Sequence, residues 1–168
     1  GPRDWVRAAL AMFAVGCGAN QFAPLLTVYE AEPGVSQADA TAMFAVYIVG
    51  LIPALVLAGR WSDAHGRLVL LRPVLVLSLV ATGLMLLGPQ DPLWLFAGRF
   101  LAGVASGAAF GPGGAWIREL SASAPPGAGA RRAAIAVSGG FGLSALVAGV
   151  VGQFLPAPVL APYLPHLV

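Results

Sequence analysis

The chain has 168 residues, of which 58% are hydrophobic and only 10% are charged, and its formal net charge at pH 7 is +2. Soluble domains average about 45–50% apolar and about 25% charged residues, so this composition excludes an ordinary water-soluble domain. The basic residues are dispersed among short polar segments, which excludes a nucleic-acid-binding patch. Two histidines and one cysteine offer neither a metal cluster nor a disulfide. No phosphate-binding loop or catalytic constellation occurs, so we predict no cofactor and no enzymatic activity.

Five apolar stretches are long enough to cross a hydrocarbon layer about 30 Å thick as helices. They run approximately over residues 6–29, 36–58, 68–87, 93–117 and 132–155. The connections between them include segments rich in glycine and proline at 32–34, 88–92 and 124–129, which is typical of turns between antiparallel neighbours. The sequence therefore predicts an all-α membrane protein, a polytopic transmembrane helix bundle in the lipid bilayer.

The first stretch follows Arg3 and Arg7 and is longer than the apolar region of a signal peptide, so we predict a retained helix. Two amides, Asn20 and Gln21, lie in its second half. Buried amides need hydrogen-bond partners, which are either neighbouring helices or a polar substrate. The sequence leaves substrate lining and interhelical bonding open for both residues.

The second stretch opens with Ser36 and Asp39, a spacing that predicts an N-cap with a capping box. Arginines lie before the first stretch, between the second and third, and between the fourth and fifth, whereas the opposite connections carry acids. The positive-inside rule then predicts a cytoplasmic N-terminus in a multi-pass protein of a bacterial inner membrane.

Between the second and third stretches, residues 59–67 are predicted to form a short charged loop on the cytoplasmic side. Their spacing and position resemble the signature of the major facilitator superfamily, which is carried here by Gly59, Asp63, Gly66 and Arg67. We expect Gly59 to let two helix ends approach, Gly66 to permit a tight turn, and Asp63 to pair with an arginine or a helix N-terminus. The resemblance implies a latch between the two halves of a carrier. The alternative is a solvated loop that serves only topology.

In the fourth stretch, residues four apart form one helical face, which consists of Arg99, Gly103, Gly107 and Gly111. Glycines at this spacing predict a groove for close helix packing. An arginine at a helix centre costs about 2.5–3.5 kcal/mol, so we expect Arg99 to face protein or a water-filled cavity. The alternative is snorkelling to the interface near Trp94. The face is similar to the superfamily's fourth-helix motif, which implies that Arg99 transfers protons or organises the central cavity.

The fifth stretch carries four small residues at helical spacing, which are Gly142, Ala145, Gly149 and Gly152. We interpret them as a packing face. The resemblance to the glycine-rich motif of drug and proton antiporters is loose, because Leu146 stands where a proline is expected. No Asp or Glu lies well inside any apolar stretch, so coupling uses Arg99, an acid outside this sequence, or no proton at all.

The proline-rich tail from 156 to 168 is predicted to be an outer loop that leads to a sixth helix. The resemblance implies two six-helix halves, so we expect residues 1–168 to be the N-terminal bundle, with the sixth helix and the C-terminal half absent. The implied function is secondary active transport by alternating access, with export of small amphipathic compounds as the first hypothesis and protons as the candidate coupling ion. A metabolite or sugar uptake carrier, and a non-transporting membrane scaffold or assembly partner, stay open as alternatives.

Overall fold

The computed structural model describes residues 3–31 and 35–168, and the regular structure within these ranges is helical. The helices are α1 (Asp4–Asn20), α2 (Leu26–Ala31), α3 (Gln37–His65), α4 (Arg67–Met85), α5 (Leu93–Leu120), α6 (Ala128–Phe154) and α7 (Leu164–Leu167). Two 3₁₀ turns, Ala23–Leu25 and Ala161–Tyr163, precede α2 and α7. The turn predicted at 32–34 lies outside the described residues.

Five segments of the described chain are long and apolar enough to cross a membrane. They are Asp4–Leu25, Gln37–His65, Arg67–Met85, Leu93–Leu120 and Ala128–Phe154. Their number and order confirm the predicted transmembrane helix bundle.

The first apolar stretch is broken, so the prediction of one helix over residues 6–29 is wrong. α1 ends at Asn20, and a 3₁₀ turn that contains Pro24 leads into α2. Proline lacks an N–H, and its ring clashes with the carbonyl four residues earlier, so the α-helix is interrupted before it. The break leaves Asn20 and Gln21 at a helix end, where backbone carbonyls lack intrahelical partners.

α3 begins as predicted. The Asp39 N–H donates to Ser36 Oγ over 3.1 Å, and the Ser36 N–H donates to the Asp39 carboxylate over 2.9 Å, which completes the capping box. These two bonds satisfy donors that have no partner inside the helix.

The prediction of a charged loop at 59–67 is wrong. α3 continues to His65, and Gly66 alone separates it from α4. Gly66 has a φ of 97°, a conformation that glycine adopts readily and that ends the helix. Residues 59–65 therefore form the last two turns of α3. α6 likewise begins earlier than predicted, directly after Gly127, which has a φ of 81°.

α5 lies at the centre of the bundle and packs against α1, α3, α4 and α6. Buried residues occur along its whole length, and most are alanine or glycine. Small side chains let the neighbouring backbones approach, which is how membrane helices associate without a hydrophobic driving force. Larger buried side chains fill the end where α2 and the tail lie, around Phe22, Tyr29, Met43 and Tyr163.

α3 and α6 expose broad apolar faces. On α3 the exposed side chains include Ile48, Val49, Ile52, Val56 and Leu57, and on α6 they include Ile135, Leu143, Leu146, Val150 and Phe154. Continuous apolar surface of this kind is covered by lipid or by protein. The bundle therefore has its polar and charged groups at its ends and in its interior.

Candidate functional site

Arg67, the first residue of α4, joins three helices at one end of the bundle. Its Nη1 lies 2.5 Å from Asp63 Oδ1, near the end of α3, and its Nη2 donates to Glu119 Oε1 on α5 over 2.8 Å. The side chains of Asp63 and Glu119 are 65% and 54% exposed. Pairs that water reaches this freely contribute at most about 1 kcal/mol each, so they can be made and broken at little cost.

The turn beneath this charge cluster is held by backbone and hydroxyl contacts. Arg67 Nη1 also donates to Ser62 Oγ over 2.6 Å, and Ser62 Oγ donates to the Gly59 carbonyl over 3.1 Å. Gly66 makes the sharp turn, as expected. Gly59 does not have its expected role within the described chain, because a Cβ added there meets nothing within 4 Å.

Glu119 was not among the residues predicted for the site. Its signal was available in the topology, because alternating helix directions bring the end of the fourth stretch to the same side as residues 59–67. Helix order could therefore have placed an acid at 119 near Arg67, although only the structure shows that the two side chains meet.

Arg99 lies in the interior, 2% exposed, one turn and a half into α5. Its Nη1 donates to the Ala19 carbonyl over 3.0 Å. Its guanidinium carbon lies 4.4 Å from the ring centre of Tyr47, 4.8 Å from that of Phe22 and 5.4 Å from that of Phe44. Arg99 faces protein, as expected, and does not snorkel to the interface.

The surroundings of Arg99 explain how a charge is accommodated there. Ala19 is in the last turn of α1, where carbonyl groups concentrate the negative end of the helix dipole, and that end attracts a cation. The aromatic faces add cation–π attraction of about 0.5–2 kcal/mol each. Arg99 Nε has no hydrogen-bond partner among the described residues.

Below Arg99 on the same face, glycines bring α5 against α3. A Cβ on Gly103 would meet the Tyr47 carbonyl, and a Cβ on Gly107 would meet the Leu51 carbonyl. At Gly111 the approach is looser, with the Leu55 side chain 3.1 Å from the added Cβ. The predicted packing groove is confirmed at Gly103 and Gly107, where only a hydrogen atom fits.

The two amides at the end of α1 both bond to other helices. Asn20 Nδ2 donates to the Phe141 carbonyl on α6 over 3.0 Å, and Gln21 Nε2 donates to Thr82 Oγ1 on α4 over 2.8 Å. Gln21 also lines a cavity, so interhelical bonding and substrate contact are compatible for this residue. Asn20 does not line that cavity.

The cavity has a volume of about 330 Å³ and lies between α1, α6 and the tail. Its walls are mostly apolar, with a few polar groups, which is the usual character of a small-molecule site. The polar and reactive side chains that line it are Cys17, Gln21, Ser144 and His166.

The packing face predicted on α6 is confirmed only in part: a Cβ on Gly152 would meet the Leu25 side chain at 2.9 Å, and one on Gly149 would contact Pro24 at 3.7 Å. Gly142 is exposed, and an added Cβ there meets nothing within 4 Å. The close approach to α1 occurs instead at Gly140, where a Cβ would meet the Phe13 carbonyl. In this half of α6 the buried positions are Gly140, Ser144 and Ala148, a face that is centred about a third of a turn from the predicted one.

Comparisons with known proteins find a matching family and similar curated proteins. The family model described as Major Facilitator Superfamily matches residues 8–160. Among curated proteins, the multidrug resistance protein MdtL of Shigella flexneri serotype 5b and that of Escherichia coli O139:H28 are each 30% identical over 138 residues. The match covers 82% of this chain and 31% of each relative, so the chain spans about a third of their length. No solved structure matches the chain.

Proposed function

The chain belongs to the Major Facilitator Superfamily, and from this premise we propose that it acts as the N-terminal part of a secondary transporter. The transporter works by alternating access and exports small amphipathic compounds. Export is favoured over metabolite or sugar uptake because the relatives carry the name multidrug resistance protein.

The ion-paired junction of Asp63, Arg67 and Glu119 is the observation that carries the proposal. An alternating-access carrier must change the contacts at its ends in each cycle, at a cost small enough for substrate binding to cover. Exposed pairs worth at most about 1 kcal/mol meet that requirement. The α5 glycine face already holds α3 and α5 together, so these charge pairs are not needed to keep the two helices in contact.

The proposed orientation has this junction and the N-terminus in the cytoplasm. Arg3, Arg67, Arg72, Arg118 and Arg131 all lie at or near the same helix ends as the junction. Under the positive-inside rule these ends face the cytoplasm, which in this proposal is the cytoplasmic side of an inner membrane. The exposed apolar faces of α3 and α6 are then available to lipid and to a C-terminal half of the transporter.

The cavity between α1 and α6 is the proposed contact surface for substrate within this part of the protein. Apolar walls with the Gln21 amide and the Ser144 hydroxyl suit a compound that is mostly apolar with a few polar atoms. Asn20 then supports the site by fixing α1 to α6. Protons are the proposed coupling ion.

A flux assay on the complete encoded protein in proteoliposomes tests the proposal. We expect amphipathic compounds from a mixed panel to leave the compartment that faces the cytoplasmic side of the protein when a proton gradient is imposed. This movement should stop when the gradient is collapsed. Accumulation of sugars or metabolites instead would favour the uptake alternative. If no compound moves and the protein is recovered only in stable complexes with other membrane proteins, the scaffold alternative replaces transport.

A further inference from the structure

The tail after α6 folds back onto the bundle. Tyr163 is fully buried, and its hydroxyl lies 2.7 Å from that of Tyr29. His166, three residues later, is half-buried between α1 and α4 and forms part of the cavity wall. Segment 161–168, which we call the strap, therefore closes one side of the cavity, in contrast to the loop predicted from its prolines.

Both ring nitrogens of His166 have partners on different helices. Nε2 lies 2.9 Å from the Ala14 carbonyl on α1, and Nδ1 lies 2.8 Å from Thr82 Oγ1 on α4. A carbonyl can only accept, so Nε2 carries the hydrogen and the Thr82 hydroxyl donates to Nδ1. That hydroxyl in turn accepts from Gln21. When the imidazole is neutral, every hydrogen bond in this series from Gln21 to Ala14 joins one donor to one acceptor.

The bundle is shaped to receive the ring. A Cβ on Gly18 would lie 2.5 Å from His166 Cε1 and 2.8 Å from Ser78 Oγ. A larger residue at this position of α1 would force the imidazole or the Ser78 hydroxyl to shift. The His166 ring therefore packs closely against α1 and α4 at the point where it also forms its hydrogen bonds.

A proton on His166 disturbs this arrangement. It would occupy Nδ1, so the Thr82 hydroxyl could no longer donate there and would have to turn its hydrogen elsewhere, while its oxygen accepts from both Nδ1 and Gln21. At this end of the bundle, the described polar side chains of α4 and α6 are neutral, namely the hydroxyls of Ser78, Thr82 and Ser144 and the amide of Gln153, and the arginines of both helices lie near the opposite end. Among the described side chains at this end, the titratable groups of the other packed elements are Cys17, Tyr29, Arg99 and the strap's own Tyr163. None of them is an anion at neutral pH that could compensate the new charge.

We propose that His166 is a proton-binding site that operates the strap: the neutral side chain holds the cavity between α1 and α6 closed, and protonation releases the strap. Burial lowers the pKa of His166, against a smaller opposite effect of its hydrogen bond to Ala14. A released histidine has a pKa of about 6.5, so the docked strap is most stable above that pH. As the pH falls below it, the equilibrium constant for docking of the strap decreases by up to a factor of about ten per pH unit. This response requires no substrate and no second half of a transporter.

Cys17 is a reporter for the strap, because its thiol lines the cavity. The encoded protein is reconstituted in nanodiscs, with any cysteine outside this chain replaced by serine, and Cys17 is labelled with a neutral maleimide between pH 5.5 and 7.5. Wild type is compared with His166→Gln at each pH, so that the pH dependence of the thiol itself cancels. We expect the ratio of wild-type to variant labelling rates to rise several-fold toward pH 5.5. A constant ratio overturns the proposal.

His65 provides the matched control, because this exposed histidine stacks on Trp61 at the opposite end of the bundle. His65→Gln should leave the pH response of Cys17 labelling as in wild type, and loss of the response in this variant would contradict the assignment to His166.

Hydrogen exchange of the strap amides in the wild-type protein, corrected for intrinsic rates, is a second test that needs no variant. Protection should fall below about pH 6.5, and protection that stays constant to pH 5.5 overturns the proposal even if His166→Gln does not fold. These tests do not depend on the flux assay. The proposal for the strap can hold when no flux is found, and it can fail when flux is found.

Discussion

Two arginines in this bundle are held in opposite ways. Arg67 lies at a helix junction, with its side chain 18% exposed, and pairs with two carboxylates that water also reaches. Arg99 is 2% exposed and is held by one backbone carbonyl and three aromatic faces. Exposed ions lose little on separation, whereas a buried cation that loses its partners has no water to replace them. The junction suits contacts that change, and the interior suits contacts that stay.

The glycines of the two regions differ in the same sense. Around Gly59 and Gly66 there is open space for an added Cβ, whereas Gly103 and Gly107 are closed off by the backbone of α3. The α5 face is therefore complete within the described chain. The junction leaves room on its surface, where a contact with the proposed C-terminal half of the transporter would fit.

The largest effect is expected where the interior is tightest, at Gly103. Gly103→Ala forces α5 away from the Tyr47 carbonyl on α3, so we expect a loss in the free energy of unfolding of about 1–3 kcal/mol or more. Gly83→Ala is the control, because its Cβ meets nothing within 4 Å and alanine favours the helix by up to about 1 kcal/mol. Thermal unfolding in detergent measures both. Equal stability of the two variants would contradict the close contact.

Arg99→Gln is expected to have the next largest effect. The substitution removes the guanidinium from the aromatic faces and leaves the Ala19 carbonyl without its donor, at a cost of about 1–3 kcal/mol. We expect substrate flux to be lost while the amount of protein in the membrane stays near that of wild type. Arg99→Lys, which keeps the charge but not the planar group, should retain part of the flux. Full flux in Arg99→Gln would remove Arg99 from the mechanism.

The same contrast separates what the sequence predicts from what it does not. Apolar runs and the four-residue spacing of glycines are local patterns, so they predicted five spans and a packing groove on α5, but not that α3 fills the groove. Arg67 and Glu119 are 52 residues apart, and Thr82 and His166 are 84 apart, so their contacts depend on how the helices assemble. The break at Pro24 had a local signal, the proline itself, but the stretch was predicted from its apolar composition alone. The strap had none, because its prolines are equally typical of a loop.

At the junction we expect larger effects on transport than on stability. Asp63→Asn and Glu119→Gln each leave Arg67 one carboxylate, so each should change the free energy of unfolding by less than about 1 kcal/mol. The double variant leaves Arg67 only the Ser62 hydroxyl and should reduce flux well below either single variant. Flux and membrane abundance are measured together for all three. If they fall in parallel, the junction serves folding or topology only.

The smallest effect on the described fold is expected at Gly59, and for that reason it is the most informative position. Gly59→Ala lies inside α3 with open space around it, so stability should be unchanged or rise by up to about 1 kcal/mol. Gly66→Ala is the contrast, because a φ of 97° strains alanine by about 1–2 kcal/mol. If Gly59→Ala nevertheless lowers flux, the added methyl group must meet a surface outside the described residues, which is where the proposed C-terminal half lies. If flux is unchanged, no such surface closes on Gly59, and the junction works through its charges alone.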